Sequence, residues 1–341
     1  MQNYYQQPPV NSYLEQYQAT LYYREKRRRE RNTLIGIGFL LGGVLIAYLF
    51  IQTVIVLMLQ RSKYYSVYET SAAFQNCFNM VAIHFSSLLI PYVIFAAIRK
   101  KDFEGRPLIP MNKIGALQTA AWVSFGMGCC VLGNLAVSFI MKVTEALGYK
   151  LTQPEMLKTD SPLAAVTLVV SVAVVPAIFE EFAYRCCILG VLQKYGKAFG
   201  VVAVSIVFGL THGNVIQFIY AFLLGLALGY ITVRTQSVVP AMLIHGFANG
   251  LSVVQEILTY TSGEKTGEYA AGALFIVWGI AAIAGTVYLF VKKLLFPEKT
   301  PKTYEPYALS LGRKLLCLAP GLFIPFVILI IMTAQFVEKV Q

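Results

Sequence analysis

Glu180, Glu181 and Arg185 stand in "VVPAIFEEFAYRCCILGVL", residues 174–192, an otherwise oily stretch. Charge buried in hydrocarbon is expensive and normally faces a bundle interior, where it has a function. Two further patterns lie close by: "FGLTH" at 208–212 and "HGFAN" at 245–249. Each of the three holds a pair spaced i, i+4: Glu181 with Arg185, Phe208 with His212, His245 with Asn249. Residues four apart share a helix face. If the segments pack together, their polar faces converge, because lipid is the worse alternative.

Such a pocket can hydrolyse a bond. Neighbours on a helix point about 100° apart, so the two glutamates need separate roles. Glu181 is spaced to pair with Arg185, which leaves Glu180 the freer carboxylate and a candidate general base for water. His212 can orient that water or share its proton. His245 and Asn249, one turn apart, can donate to an oxyanion. Alternatively Glu180, His212 and His245 can bind zinc, since two histidines and a carboxylate form a common catalytic zinc set. The residues leave both alternatives, zinc or no metal, open. Phe208 reads as packing beside His212. Pro176 removes a backbone hydrogen bond and kinks its helix, making room for water near Glu180. His84, with only "VAIHFSS" around it, reads as a packing residue.

The elements that position these residues are membrane helices. Of 341 residues 57% are hydrophobic and 13% charged, about half the charge of a soluble domain. Apolar runs near spanning length lie at about nine places: 33–59, 78–98, 117–141, 162–179, 197–212, 215–233, 238–254, 270–291 and 317–337. Residues 180–195 either prolong the fourth run or form a short helix. The fold expected is all-α: a polytopic transmembrane helix bundle with a polar catalytic cavity inside the membrane. The first run is too long for a signal-peptide core and reads as an uncleaved anchor.

The net charge of +11 is concentrated beside the spans. "YYREKRRRERN", residues 22–32, carries six basic residues just before the first run. This placement marks a cytoplasmic flank and a surface for anionic lipid. It does not suggest nucleic acid, and no base-reading motif is present. Arg99, Lys100, Lys101, Lys194, Lys197, Arg234, Lys292 and Lys293 fall on the same side in the count of spans. The protein is thus expected to be a multi-pass membrane protein with a cytoplasmic N-terminus, in the cell membrane if bacterial. Residues 1–32 read as a disordered basic tail, and 33–341 as one transmembrane domain. The six cysteines match neither a disulfide framework nor a metal knuckle. The glycines of "GFLLGG" and "GLALGY" allow close helix approach.

"EEFAYR", "FGLTH" and "HGFAN" match, in this order, the E-E-x-x-x-R, F-x-x-x-H and H-x-x-x-N/D motifs of the CPBP intramembrane proteases. That family includes the type II CAAX prenyl endopeptidases and bacterial bacteriocin-processing and immunity proteins. The stretch "YAFLLGLALGYITVRTQSVVPAMLIHGFANG" also resembles the family. The resemblance covers about 160–255, under a third of the chain. It implies a helical membrane endopeptidase with a conical cavity, acting on a membrane-associated protein or peptide, prenylated in the eukaryotic members. Carried over, Glu180 and His212 activate water, and His245 and Asn249 form the oxyanion site. Glu181 and Arg185 form a supporting ion pair, and Phe208 supports the site. The resemblance leaves the zinc alternative open.

Two other classes compete. A transporter would use the same residues to relay protons, but no inverted repeat is apparent. A non-catalytic scaffold or immunity protein would bind a membrane partner without cutting it.

One measure of depth conflicts with a shared site. Counted from the inner ends of their runs, His212 lies about 22 Å deep and His245 about 10 Å.

Overall fold

The computed structural model describes residues 13–152, 159–296 and 308–339. Among these, eight helices are long and apolar enough to cross a membrane. In chain order the long helices are α1 (Tyr13–Gln60), α2 (Ala72–Ile98), α3 (Ala116–Ala146), α4 (Pro162–Tyr195), α5 (Lys197–Leu210), α6 (Val215–Thr235), α7 (Val239–Ser262), α8 (Glu264–Val291) and α9 (Leu311–Ala334). The protein is an all-α multi-pass membrane bundle. Its only sheet among the described residues is a pair of three-residue strands, β1 (Tyr149–Leu151) and β2 (Val337–Lys339).

Of the nine apolar runs, the fifth is not a full span. α5 has 14 residues, about 21 Å, and turns back through residues 211–214 into α6. The run 180–195 prolongs α4, which reaches 34 residues. α5 and α6 pack against each other as a hairpin. The hairpin is closed by small residues: Gly225 of α6 faces Ser205 of α5, and Gly229 faces Val201. At the crossing of α1 and α9, a methyl group on Gly42 would overlap the Gly321 carbonyl.

The expected disordered tail is corrected from Tyr13 onward. α1 runs through it as one 48-residue helix, with Glu25 paired to Arg29 one turn later. Arg, Lys, Glu, Gln and Leu are strong helix formers, and a helix already anchored in the bundle elongates without a new nucleus. Residues 1–12 lie outside the described residues.

Polar contacts tie the bundle at both ends. At one end Asp102 accepts from Lys194 Nζ (3.1 Å) and the Tyr195 hydroxyl (3.2 Å), and Lys314 pairs with Glu30 (3.1 Å). Arg234 donates to the Phe296 carbonyl there (3.0 Å). The basic residues noted beside the spans therefore gather at this end. At the other end β1 pairs with β2, and Asp160 accepts the Ala72 backbone N–H at 3.0 Å. That N–H and the Ser161 hydroxyl hold the exposed Asp160 carboxyl below its ordinary pKa.

Candidate active site

α4 is not a uniform α-helix. Val169–Val174 and Phe182–Ile188 form π-helical turns, closed by i→i+5 bonds and often found at functional sites. Between them lie Pro176 and the two glutamates. Pro176 has no N–H to give the Val172 carbonyl four residues earlier. The side-chain amide of Asn249, on α7, donates to that carbonyl at 2.8 Å. The proline that loosens α4 thus creates the acceptor that fixes Asn249.

Both glutamates reach the same histidine. Glu181 Oε1 accepts from His245 Nδ1 at 2.8 Å, while Glu180 Oε2 lies 3.7 Å from His245 Nε2. The two glutamates keep separate roles while flanking one residue. The two ring nitrogens point apart, so diverging carboxylates can flank one imidazole. Glu181 also keeps its expected partner: its Oε2 is 3.1 Å from Arg185 Nε. That contact is Coulombic, since neither atom gains an aligned hydrogen bond from it. Glu181 and Arg185 are both buried, at 0% and 1% exposure. The guanidinium also lies over the Phe208 ring, 4.7 Å from its centroid, where a desolvated cation–π contact is favourable.

Phe208 therefore does more than pack beside His212. Its ring is 5.0 Å from that of His212, 5.9 Å from that of His245 and 4.8 Å from that of Tyr184. Its carbonyl faces His212 Nδ1 at 2.9 Å. A carbonyl only accepts, so Nδ1 carries the proton and Nε2 is left with its lone pair. The same carbonyl accepts from Thr211 (2.7 Å), whose hydroxyl oxygen accepts from Tyr184 (3.0 Å). This hydroxyl chain had no signal in the spacing of the sequence.

Phe208, His212, His245 and Asn249 line one cavity of about 450 Å³, closed by residues of α3, α6 and α8. Glu180 is not part of that wall; it stands beside it, behind His245, with 18% of its side chain exposed. The conflict of depths resolves at the α6–α7 turn. Ser237 and Val238 are buried, at 1% and 0% exposure, beneath the segment after α2. Val238 N–H donates to the Pro110 carbonyl (2.8 Å), and Asn112 N–H to that of Gln236 (3.1 Å). α7 thus starts inside the protein, deeper than its apolar run suggested, and brings His245 level with His212.

His84 is the residue that sequence reasoning missed. It is buried in α2, and its Nε2 lies 3.4 Å from Glu180 Oε1. It is a site neighbour, not a packing residue remote from the glutamates. The only polar residues beside it in "VAIHFSS" are serines, which do not point to a distant glutamate.

The zinc alternative finds no support in the donor arrangement. Among the described residues no group of three His, Cys, Asp or Glu side chains is placed to hold a metal ion. Glu180, His212 and His245 meet around the site without forming such a set.

Residues 162–251 match a family model described as Type II CAAX prenyl endopeptidase Rce1-like. The matched residues include every one of the three motifs. No curated protein matches the chain, and no solved structure does. Over the matched residues the chain is similar to CAAX-type membrane proteases.

Proposed function

We propose that the protein is an intramembrane endopeptidase that hydrolyses a peptide bond of a membrane-associated protein or peptide. One observation carries this reading: a base, two histidines and a donor amide from three separate segments meet beside a cavity inside the bundle.

Glu180 takes a proton from water, and His212, with its Nε2 lone pair, accepts a hydrogen bond from that water and orients it. The oxygen attacks the peptide carbonyl carbon. The carbonyl oxygen becomes an oxyanion beside His245 and Asn249. Asn249 spends one N–H on Val172 and has a second to give. His245 Nδ1 faces Glu181, so His245 donates from Nε2 only when its ring carries both protons. Collapse of the intermediate breaks the C–N bond, and the proton held by Glu180 passes to the leaving amine. Glu181, Arg185 and Phe208 hold His245 and His212 in place.

The basic end of the bundle is assigned to the cytoplasm, which puts the N-terminus there. The exposed basic turns of α1 are assigned to anionic lipid headgroups. Prenylated CAAX peptides are the first substrates to offer, because of the match over residues 162–251.

The test is cleavage of a peptide library, prenylated CAAX peptides included, by purified protein in detergent. Glu180→Gln is expected to lower kcat by about 10²–10⁴, the usual contribution of a positioned base. A parallel arm with a zinc chelator tests the metal alternative separately. Equal cleavage by both proteins overturns the assignment of Glu180. Transport of an ion in liposomes without cleavage favours the transporter.

A further inference from the structure

Glu180 is flanked on both sides. His245 faces its Oε2, and on the opposite side His84 Nε2 lies 3.4 Å from its Oε1. His84 comes from α2, outside the matched residues 162–251. Its neighbour Phe85 packs on Phe179, the residue before Glu180, with ring centroids 4.8 Å apart. Two consecutive residues of α2 thus meet two consecutive residues of α4. Higher up, the Asn76 amide donates to the Ala164 carbonyl and to the Thr167 hydroxyl, both at 3.2 Å. The two helices are therefore fixed to each other well above the site. His84 itself lies in a π-helical stretch, Met80–Leu89, and is 9% exposed.

The charges explain why a second histidine is needed. Glu181 has Arg185 for company. Glu180 has no cationic side chain of Lys or Arg within ion-pair distance among the described residues; His84 and His245 flank it, with Tyr48, Tyr92 and Tyr184 in its neighbourhood. A carboxylate beside apolar walls needs donors on both oxygens. His84 stands beside one of them: its Nε2 is 3.4 Å from Oε1, a charge contact that a proton on Nε2 favours. Its Nδ1 has no hydrogen-bond partner among the described residues and is then only a lone pair, a smaller loss than an unpaired N–H.

We infer that His84 is a positioning residue of the catalytic unit: it holds one oxygen of Glu180 so that the other stays turned toward His245 and the cavity. This rests on Glu180 being the base. It extends the unit beyond the three motifs, to a helix that the family model does not reach.

Two measurements on the full chain test it. The first is kinetic, with His84→Ala and His84→Gln. Loss of the anchor lets the base swing, and misplacement of about 1 Å costs up to about a hundredfold. His84→Ala is expected to lower kcat by about tenfold to a hundredfold with KM nearly unchanged. His84→Gln keeps an N–H for Oε1 and is expected to recover most of the loss. A His84→Ala enzyme with wild-type kcat overturns the inference. The second measurement needs no substrate. The chain has three histidines, so ¹⁵N-histidine spectra at one fixed pH are simple, and His84→Gln identifies the His84 signals. Those signals are expected to move in Glu180→Gln; if they stay, the pair does not exist. Shifted signals with no cleavage of any peptide remove the protease reading and leave the pair standing. Cleavage lost in Glu180→Gln but intact in His84→Ala removes the inference alone.

Discussion

α4 and α8 are both long apolar helices of the same bundle, and they treat charge in opposite ways. α8 carries its charged residues at one end and none from Tyr269 to Val291. It is α-helical throughout. Only 11% of its most apolar window is buried, against 39% for α4. α4 holds Glu180, Glu181 and Arg185 at mid-length, is broken by two π-helical stretches, and is packed between α2 and α7. A helix that faces lipid has no reason to depart from regular geometry, because every carbonyl must be satisfied within it. A helix enclosed by protein can release a carbonyl, as α4 does at Val172, if a neighbour supplies a donor.

The contrast can be pressed in three places. The largest effect is expected from Arg185→Leu, which leaves Glu181 buried without its cation. Breaking a buried pair in this way costs about 3–5 kcal/mol, read as a lower unfolding midpoint in detergent. A midpoint equal to wild type would mean that Glu181 is compensated by His245 alone. Next comes Asn249→Ala. It removes the proposed oxyanion donor and the partner of Val172 together. Loss of one such donor lowers kcat by about 10²–10³, with KM little changed; a pure rise in KM would instead assign Asn249 to substrate binding. The smallest effect belongs to α8. Ile280 is 65% exposed, and Ile280→Ala is expected to shift stability by no more than about 0.5 kcal/mol. A large loss there would show that α8 has a partner on its outer face.

Much of this arrangement could be read before any coordinates, and the reason is local. Glu181 with Arg185, Phe208 with His212, and His245 with Asn249 each share a helix face, and spacing alone brings such pairs together. The bundle was legible from hydropathy because spanning helices must be long and apolar. What could not be read depends on contacts between helices distant in sequence. His84 meets Glu180 across 96 positions, with nothing in "VAIHFSS" to announce it. The partner of Asn249 is a backbone carbonyl, and carbonyls have no letter in a sequence. The buried start of α7 depends on the segment 110–112 lying over Ser237 and Val238. Hydropathy marks where a run is apolar, not how deep it begins. The tail was misread for a different cause. A polar, charged composition suits disorder, yet the same residues extend a helix once its other half is anchored.

The shortness of α5 has a consequence for the bilayer itself. A hydrocarbon core is about 30 Å thick, and α5 covers about 21 Å of it. The turn at 211–214 needs cover that lipid tails could not give, since they cannot solvate its backbone. Protein supplies that cover. Met332 of α9 lies against Gly213, and Tyr48 and Leu45 of α1 line the same small gap as Thr211. Both helices lie outside the matched segment. In effect α1 and α9 act as solvent for the turn that carries His212, so that its backbone meets protein where lipid would leave it unsatisfied.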